Sequence, residues 1–209
     1  MSQPIGHKIL VLIDGSNLFH SFSQIKIDSQ NYRIDFNKLQ DLLTSEFGDI
    51  EKVCYFSAEP PEGTINQSRR RYLRLLKRIG FDVRTVALRN KTFKCKECKS
   101  SFNTLVEKGL DVALASEALK YGLQGLCDAV VIISGSGSYI PVVDMLQGAG
   151  VFVAVAAFKD HCSINLDLTT RPNSFLNLSD HAEELRLVPE ERHNTVSPNP
   201  YDTQSVLKD

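Results

Sequence analysis

Three stretches of this 209-residue chain carry side chains able to do chemistry. In Lys8-Ile9-Leu10-Val11-Leu12-Ile13-Asp14-Gly15-Ser16-Asn17 an apolar strand runs into a short polar turn. Asp14 then emerges at the carboxyl edge of a sheet, Gly15 permits the turn, and Asn17 falls near the start of the next helix. A carboxylate so placed either serves a site or caps that helix. In Glu107-Lys108-Gly109-Leu110-Asp111-Val112-Ala113-Leu114-Ala115, Gly109 precedes a strongly apolar helix, so Asp111 lies in its first turn, where the helix dipole alone favours a negative charge. The third stretch, Ser134-Gly135-Ser136-Gly137-Ser138-Tyr139-Ile140-Pro141, follows the apolar run Ala129–Ile133. Hydroxyls and backbone N–H groups between a strand and a helix, without competing negative charge, suit a phosphate, which makes Ser134, Ser136 and Ser138 candidate ligands. The alternative is that these serines cap the helix beginning near Tyr139.

The net charge of −1 averages a basic middle against an acidic end. Between Arg69 and Lys108 stand 13 Lys/Arg and three acids, Asp82, Glu97 and Glu107. In the helical stretch Arg69–Ile79 the spacing places Tyr72, Leu75, Leu76 and Ile79 toward the sheet and leaves Arg70, Arg71, Arg74, Lys77 and Arg78 to solvent. Six basic residues without an acid in ten positions repel one another unless a polyanion neutralises them, and arginine forks match phosphate geometry. That reading is favoured over a merely solvated face, with Lys91, Lys94, Lys96 and Lys99 extending the surface. Cys95-x-x-Cys98 has zinc-knuckle spacing, but structural zinc takes four ligands and the chain has no second such pair. Cys162 with His161 could complete a site, two chains could each supply a pair across a dimer interface, or the two are ordinary loop thiols. Cys54 and Cys127 read as core.

These residues need elements to hold them. Lys8–Ile13, Val53–Phe56, Phe81–Val86, Ala129–Ile133 and Val151–Ala156 read as buried strands. Phe36–Phe47, Asn66–Ile79, Leu110–Tyr121 and Tyr139–Gly148 read as helices, the first two closed by Gly48 and Gly80. The alternation predicts βαβ units and a mainly parallel sheet covered on both faces, with chemistry at the carboxyl ends of its strands. Arg89–Asn103 has no clean period and reads as a loop or hairpin inserted before the helix of Asp111; exposed Phe93 and Phe102 within it offer a homodimer contact. Length and a 42% hydrophobic composition fit one domain over 1–187, and the Pro-, Asn- and Ser-rich remainder, 188–209, reads as a disordered tail. No apolar stretch is long enough for a membrane span, the first residues lack a secretory pattern, and five cysteines fit reduced thiols, so the expectation is a cytoplasmic protein.

The three stretches, D-G-S-N at 14–17, E-K-G-x-D-V-A-L at 107–114 and S-G-x-x-x-Y-I-P at 134–141, occur in that order, and the chain over roughly 7–180 resembles the NYN domain family, a branch of the PIN-like ribonucleases that includes LabA-type bacterial proteins. The resemblance implies a flavodoxin-like, PIN-like three-layer α/β fold with a central, mainly parallel sheet of about five strands. It also implies acidic residues that hold Mg²⁺ or Mn²⁺ for cleavage of RNA phosphodiesters. Carried over by position, Asp14 and Asp111 resemble the metal-site acids and Asn17 the polar residue that supports them. The departure lies at Ser136 and Ser138, where family members usually carry aspartates. Each missing carboxylate forfeits about 8 kcal/mol of gross attraction to a dication at ~4 Å and an effective dielectric of ~20, before desolvation is subtracted. Three readings follow. One is an RNA- or phosphate-binding relative with weakened or lost cleavage. Another is an active ribonuclease built on Asp14 and Asp111 with Asp144 or Glu107. The last is a regulatory protein-interaction module. A dinucleotide site lacks its Gly-x-Gly-x-x-Gly turn.

Overall fold

In a computed structural model, which describes residues 8–27, 30–59, 67–160 and 162–188, the opening apolar run becomes an inner strand of the sheet. In chain order the elements are β1 (Ile9–Asp14), α1 (Gly15–Ser23), the two-residue strands β2 (Lys26–Ile27) and β3 (Gln30–Asn31), α2 (Phe36–Phe47), β4 (Ile50–Glu59), α3 (Gln67–Arg78) and β5 (Asp82–Ala87). They continue with β6 (Arg89–Lys94), β7 (Ser101–Val106), α4 (Leu110–Leu123), β8 (Ala129–Ile133), α5 (Ile140–Gly148), β9 (Phe152–Ala157) and β10 (Ser174–Asn177). The main sheet has six strands in the order β10-β9-β8-β1-β4-β5, every neighbouring pair parallel.

Continuous apolar runs form these inner strands because both faces are covered. Along β1, Ile9, Val11 and Ile13 face one helical layer and Leu10 and Leu12 the other. The first layer is closed by Leu18 and Phe22 of α1, Leu39 and Leu43 of α2, and Leu73 and Leu76 of α3. The second is closed by Leu110, Leu114 and Ala118 of α4 and Val142, Val143 and Leu146 of α5. Each such side chain fully buried contributes roughly 1.5–3 kcal/mol, so neither face can be left open.

All five expected strands are present. The sixth, β10, is four half-buried residues behind an irregular stretch, too short to announce itself by pattern. The insert before α4 is an antiparallel hairpin, β6–β7, and its Phe93 and Phe102 stack on each other across it, centroids 5.7 Å apart, rather than standing singly. On α3 the buried stripe runs through Arg69, Leu73 and Leu76, with Leu75 turned to solvent at 54% exposure, so the expected sheet-facing set shifts by part of a turn. Tyr72 and Ile79 still pack against the core. The expected tail lies outside the described residues from 189 onward, as do His7, His161 and His193. Among the described residues no helix is long and apolar enough to cross a membrane.

Chain order runs outward from β1 through β4 to β5, then returns to β8 on the other side of β1 and runs outward again. The reversal lies between β1 and β8, and in open parallel sheets the crevice beyond the carboxyl ends at such a reversal is where ligands bind. Asp14 and Ser134 stand there.

Nearer the amino ends of β4 and β5, an ionic cluster ties the sheet to α4. Arg84 donates to Glu117 at 2.6 Å and to Asp82 at 3.0 Å, and Lys52 reaches Asp82 at 3.0 Å and the Tyr121 hydroxyl at 3.0 Å. Glu117 is the buried member, its side chain 7% exposed. Partial burial alone would raise the Asp82 pKa, but hydrogen bonds from Lys52 and Arg84 outweigh it and hold the carboxyl below its ordinary 3.8. Its contribution to stability is therefore present above 3.8 and lost as the pH falls through the lowered value. Breaking a buried pair costs 3–5 kcal/mol, but Arg84 is partly exposed and keeps Asp82, so Glu117→Ala is expected to cost about 2 kcal/mol, read from the urea midpoint at neutral pH.

Candidate functional site

Asp14 ends β1 with its side chain carried into the interior, 3% exposed. Its Oδ1 accepts the Asn17 backbone N–H at 2.9 Å and so caps α1. Its Oδ2 accepts the Tyr139 hydroxyl at 3.0 Å and the Ser134 hydroxyl at 3.2 Å. Asn17 returns the connection, its Oδ1 accepting the Gly135 N–H at 2.8 Å. One carboxylate and one amide thus join β1, α1, the loop after β8 and the turn that leads into α5. Burial pushes the Asp14 pKa up, and the charge of Asp111 adds to that, against the hydrogen bonds from Asn17, Tyr139 and Ser134. Burial and the charges of Asp14 and Asp111 likewise raise the Tyr139 phenol, which stays a donor at neutral pH.

Gly15 fits where a side chain would not. A Cβ there would sit 2.5 Å from the Tyr55 ring and 2.6 Å from the Phe56 carbonyl oxygen, so the glycine serves the close approach of α1 to β4 rather than the turn itself. Ser16, next to it, donates its hydroxyl to Glu107, which leads from β7 toward α4. Partial desolvation raises the Glu107 pKa, as do the charges of Asp14 and Asp111, while the Ser16 hydrogen bond and the Arg69 charge lower it. Arg69 is buried, donating to the Ser57 hydroxyl at 3.0 Å and to the Ala58 carbonyl of β4. Asp111 is exposed in the first turn of α4, where the N-cap Gly109 supplies no side-chain cap.

Of the residues expected from sequence, Asp14, Asn17 and Ser134 are in direct hydrogen-bond contact, and Asp111 acts on them through its charge. Ser136 and Ser138 share the loop, but its amides are largely used within it. Gly135 N–H serves Asn17, Ser136 N–H the Ser134 hydroxyl at 3.2 Å, Ser138 N–H the Ser136 hydroxyl at 3.4 Å and Tyr139 N–H the Ser136 carbonyl at 3.3 Å. The expected cradle of free N–H groups is therefore reduced, and a phosphate would meet chiefly the hydroxyls of Ser136 and Ser138. Asp144 is exposed and pairs with Arg171 at 3.0 Å. Arg70, Arg71, Arg74 and Lys77 line a separate groove of about 640 Å³ between α3 and the edge strand β5, with Glu59, Val83 and Thr85. Arg78 is on the exposed side of α3. Cys95 and Cys98 stand at the tip of the β6–β7 hairpin, while Cys162 packs against the core and donates to the Phe158 carbonyl.

Sequence reasoning missed Tyr139 and Ser16 as members of the site and assigned Arg69 to neither face of its helix. The Arg69-Leu73-Leu76 spacing of i, i+4, i+7 was the available signal for Arg69. Tyr139 stands in the S-G-x-x-x-Y-I-P stretch, but its donation to Asp14 comes from the turn geometry, which spacing does not reveal.

The family model of the NYN domain matches residues 8–179. Among solved structures, a protein of unknown function from Vibrio parahaemolyticus RIMD 2210633 superposes with a TM-score of 0.62 at 18% identity, covering 90% of this chain and 100% of that one, a likeness of fold. A bacteriophage T5 flap endonuclease, in a pseudo-enzyme–product complex with DNA and metal ions, gives a TM-score of 0.40 at 13% identity over 77% of this chain and 59% of that one. No curated protein matches.

Two outcomes are expected. Because the folded pKa of Asp14 is raised, chiefly by burial, this carboxyl's favourable contribution is complete below 3.8 and lost as the pH rises through the raised value. Asp14→Asn, which cannot ionise, should therefore gain stability relative to the native chain as the pH rises from about 4, read from urea midpoints across the range. Gly15→Ala should cost about 2 kcal/mol, since the Phe56 backbone cannot yield.

Proposed function

The chain belongs to the NYN domain family, and on that premise we propose that it is an RNA-directed protein that binds the phosphate backbone with weakened or lost phosphodiester cleavage. The observation that carries this reading is the state of Asp14. Both its oxygens accept hydrogen bonds from the protein, Oδ2 from two hydroxyls, which leaves little of the carboxylate for a metal ion. The donors are of the right chemistry for Mg²⁺ or Mn²⁺, since Asp14, Glu107 and Asp111 offer hard carboxylate oxygens. Their arrangement does not fit: among the described residues no three His, Cys, Asp or Glu side chains converge on one point as a ligand set.

Binding draws on two surfaces. In the groove of α3 and β5, Arg70, Arg71, Arg74 and Lys77 present guanidinium forks and an ammonium to successive phosphates, with Arg78 extending the row; such contacts are sequence-independent and salt-sensitive. At the switch point, the hydroxyls of Ser136 and Ser138 carry no charge and repel no anion, so a phosphate can approach where carboxylates would turn it away. Glu59 ends β4, the neighbour of β1, so the basic groove opens toward the same carboxyl edge as Asp14.

A second reading, an active Mg²⁺- or Mn²⁺-dependent ribonuclease using Asp14 and Asp111, has its own support. Beyond the effect of burial, the charge of Asp111 raises the Asp14 pKa and the charges of Asp14 and Asp111 raise that of Glu107, and a dication would relieve that repulsion.

The test compares the native chain with Ser136→Asp/Ser138→Asp on single-stranded RNA with and without Mn²⁺. The native chain is expected to bind without turnover and the double variant to gain metal-dependent cleavage that Asp14→Ala removes. Arg70→Glu/Arg74→Glu should weaken binding at least tenfold and lower the salt slope by about two. Robust cleavage by the native chain, abolished by Asp14→Ala, would establish the second reading instead.

A further inference from the structure

The tip of the β6–β7 hairpin makes none of the hydrogen bonds that build the acidic cleft, yet it is built with care. Cys95 N–H donates to the Ser100 carbonyl at 2.9 Å and Lys99 N–H to the Cys95 carbonyl at 3.1 Å, which closes a narrow turn over Cys-Lys-Glu-Cys-Lys-Ser. Lys99, directly after the second cysteine, has φ 60, alone among the described non-glycine residues in the left-handed region that such side chains seldom adopt. Past that kink, the Ser100 hydroxyl lies 2.8 Å from the Cys98 sulfur. The Ser100 hydroxyl, its backbone N–H and the Cys95 thiol together lower the Cys98 pKa to about 7. Lys94, Lys96 and Lys99 flank the pair and favour thiolate.

Two thiolates three residues apart are half of a tetrahedral zinc site. The same chain does not complete it from the described residues. Cys54 and Cys127 are buried in the core, Cys162 is engaged with the Phe158 carbonyl, and no cluster of three potential ligands occurs among the described residues. Next to the thiols, Phe93 and Phe102 stack as a register pair and remain 36% and 57% exposed, an apolar surface beside the turn of a hairpin whose adjacent polar residues Thr92, Lys94, Ser101 and Asn103 face water.

We propose that Cys95 and Cys98 bind Zn²⁺ jointly with the same pair from a second copy of this chain, so that one tetrathiolate ion fastens two hairpins tip to tip. A twofold axis through the ion makes the contact isologous, brings the two Phe93–Phe102 pairs together and covers them. Four thiols release their protons on binding, and the excess negative charge of the tetrathiolate is offset by the six lysines contributed by the two tips. Zinc and other thiophilic ions of tetrahedral preference fit this site, whereas Mg²⁺ does not. The site is independent of the proposed RNA reading.

The full chain, reduced and freed of metal, is titrated with Co²⁺ and with Zn²⁺ while light scattering follows its mass. The expected result is the charge-transfer and d–d absorption of tetrahedral Co²⁺–thiolate, saturating at one ion per two chains, with the mass doubling and reverting on chelation. Cys98→Ser should lose absorption and dimer together with its circular dichroism unchanged, Cys162→Ser should retain both, and Phe102→Ser should raise the dimer dissociation constant about tenfold while keeping the absorption at saturation. One ion bound per monomer, a dimer that survives chelation and Cys98→Ser, or oxidation of the pair to an intrachain disulfide with no metal uptake under reductant would each overturn the proposal.

Discussion

A carboxylate cannot be carried into a protein interior at the edge of a sheet unless something receives its charge, and the arrangement around Asp14 is the answer this chain gives. The Asn17 amide, the Tyr139 phenol and the Ser134 hydroxyl meet it from three elements. The same set of bonds fixes the orientation of α1 against β1, sets the loop after β8 over the carboxyl edge, and holds the turn from which α5 departs. Desolvation still prevails, since the Asp14 pKa remains raised.

Around this centre the molecule separates its charges. Asp14, Glu107 and Asp111 crowd one crevice, and the cations of α3 line a groove beside the edge strand. Arg69 joins the two, rooted on the buried stripe of the basic helix, hydrogen-bonded to β4 and felt electrically by Glu107. A net charge of −1 conceals this division completely. Binding to a polyanion would be governed by the groove, and discrimination at the crevice by whether a second charge, cation or phosphate, can be accommodated among the three acids.

The fold was legible because its strands are continuous apolar runs and its helices end at glycines; both are local signals. The sixth strand was not, because four half-buried residues carry no period, and its pairing with β9 is decided by tertiary context. Asp14, Asn17, Asp111 and the serine loop were readable as polar residues at strand and helix ends. Their partners were less so. The Ser16–Glu107 contact spans 91 positions and the Tyr139–Asp14 contact 125, distances in sequence at which spacing says nothing. The fate of the loop's amides was equally hidden, since a Ser-Gly repeat reads the same whether its N–H groups face outward or turn in on its own hydroxyls.

The serines at 136 and 138 can be weighed as shape or as charge. Ser136 caps the short helical turn Gly137–Tyr139 in extended backbone, its hydroxyl accepting the Ser138 N–H. Aspartate is as good a cap as serine, so the backbone would accept it without rearrangement. Ser138 is exposed and faces no steric limit of its own. Shape therefore does not require serine at either position. Charge distinguishes the two residues: burial already raises the pKa values of Asp14 and Glu107 and the charge of Asp111 adds to both, so further carboxylates on this loop would add to that cost unless a dication offset it. With serine the crevice is stable without one. Serine at both positions thus leaves the crevice held by protein hydroxyls, where the backbone has no stake in the choice.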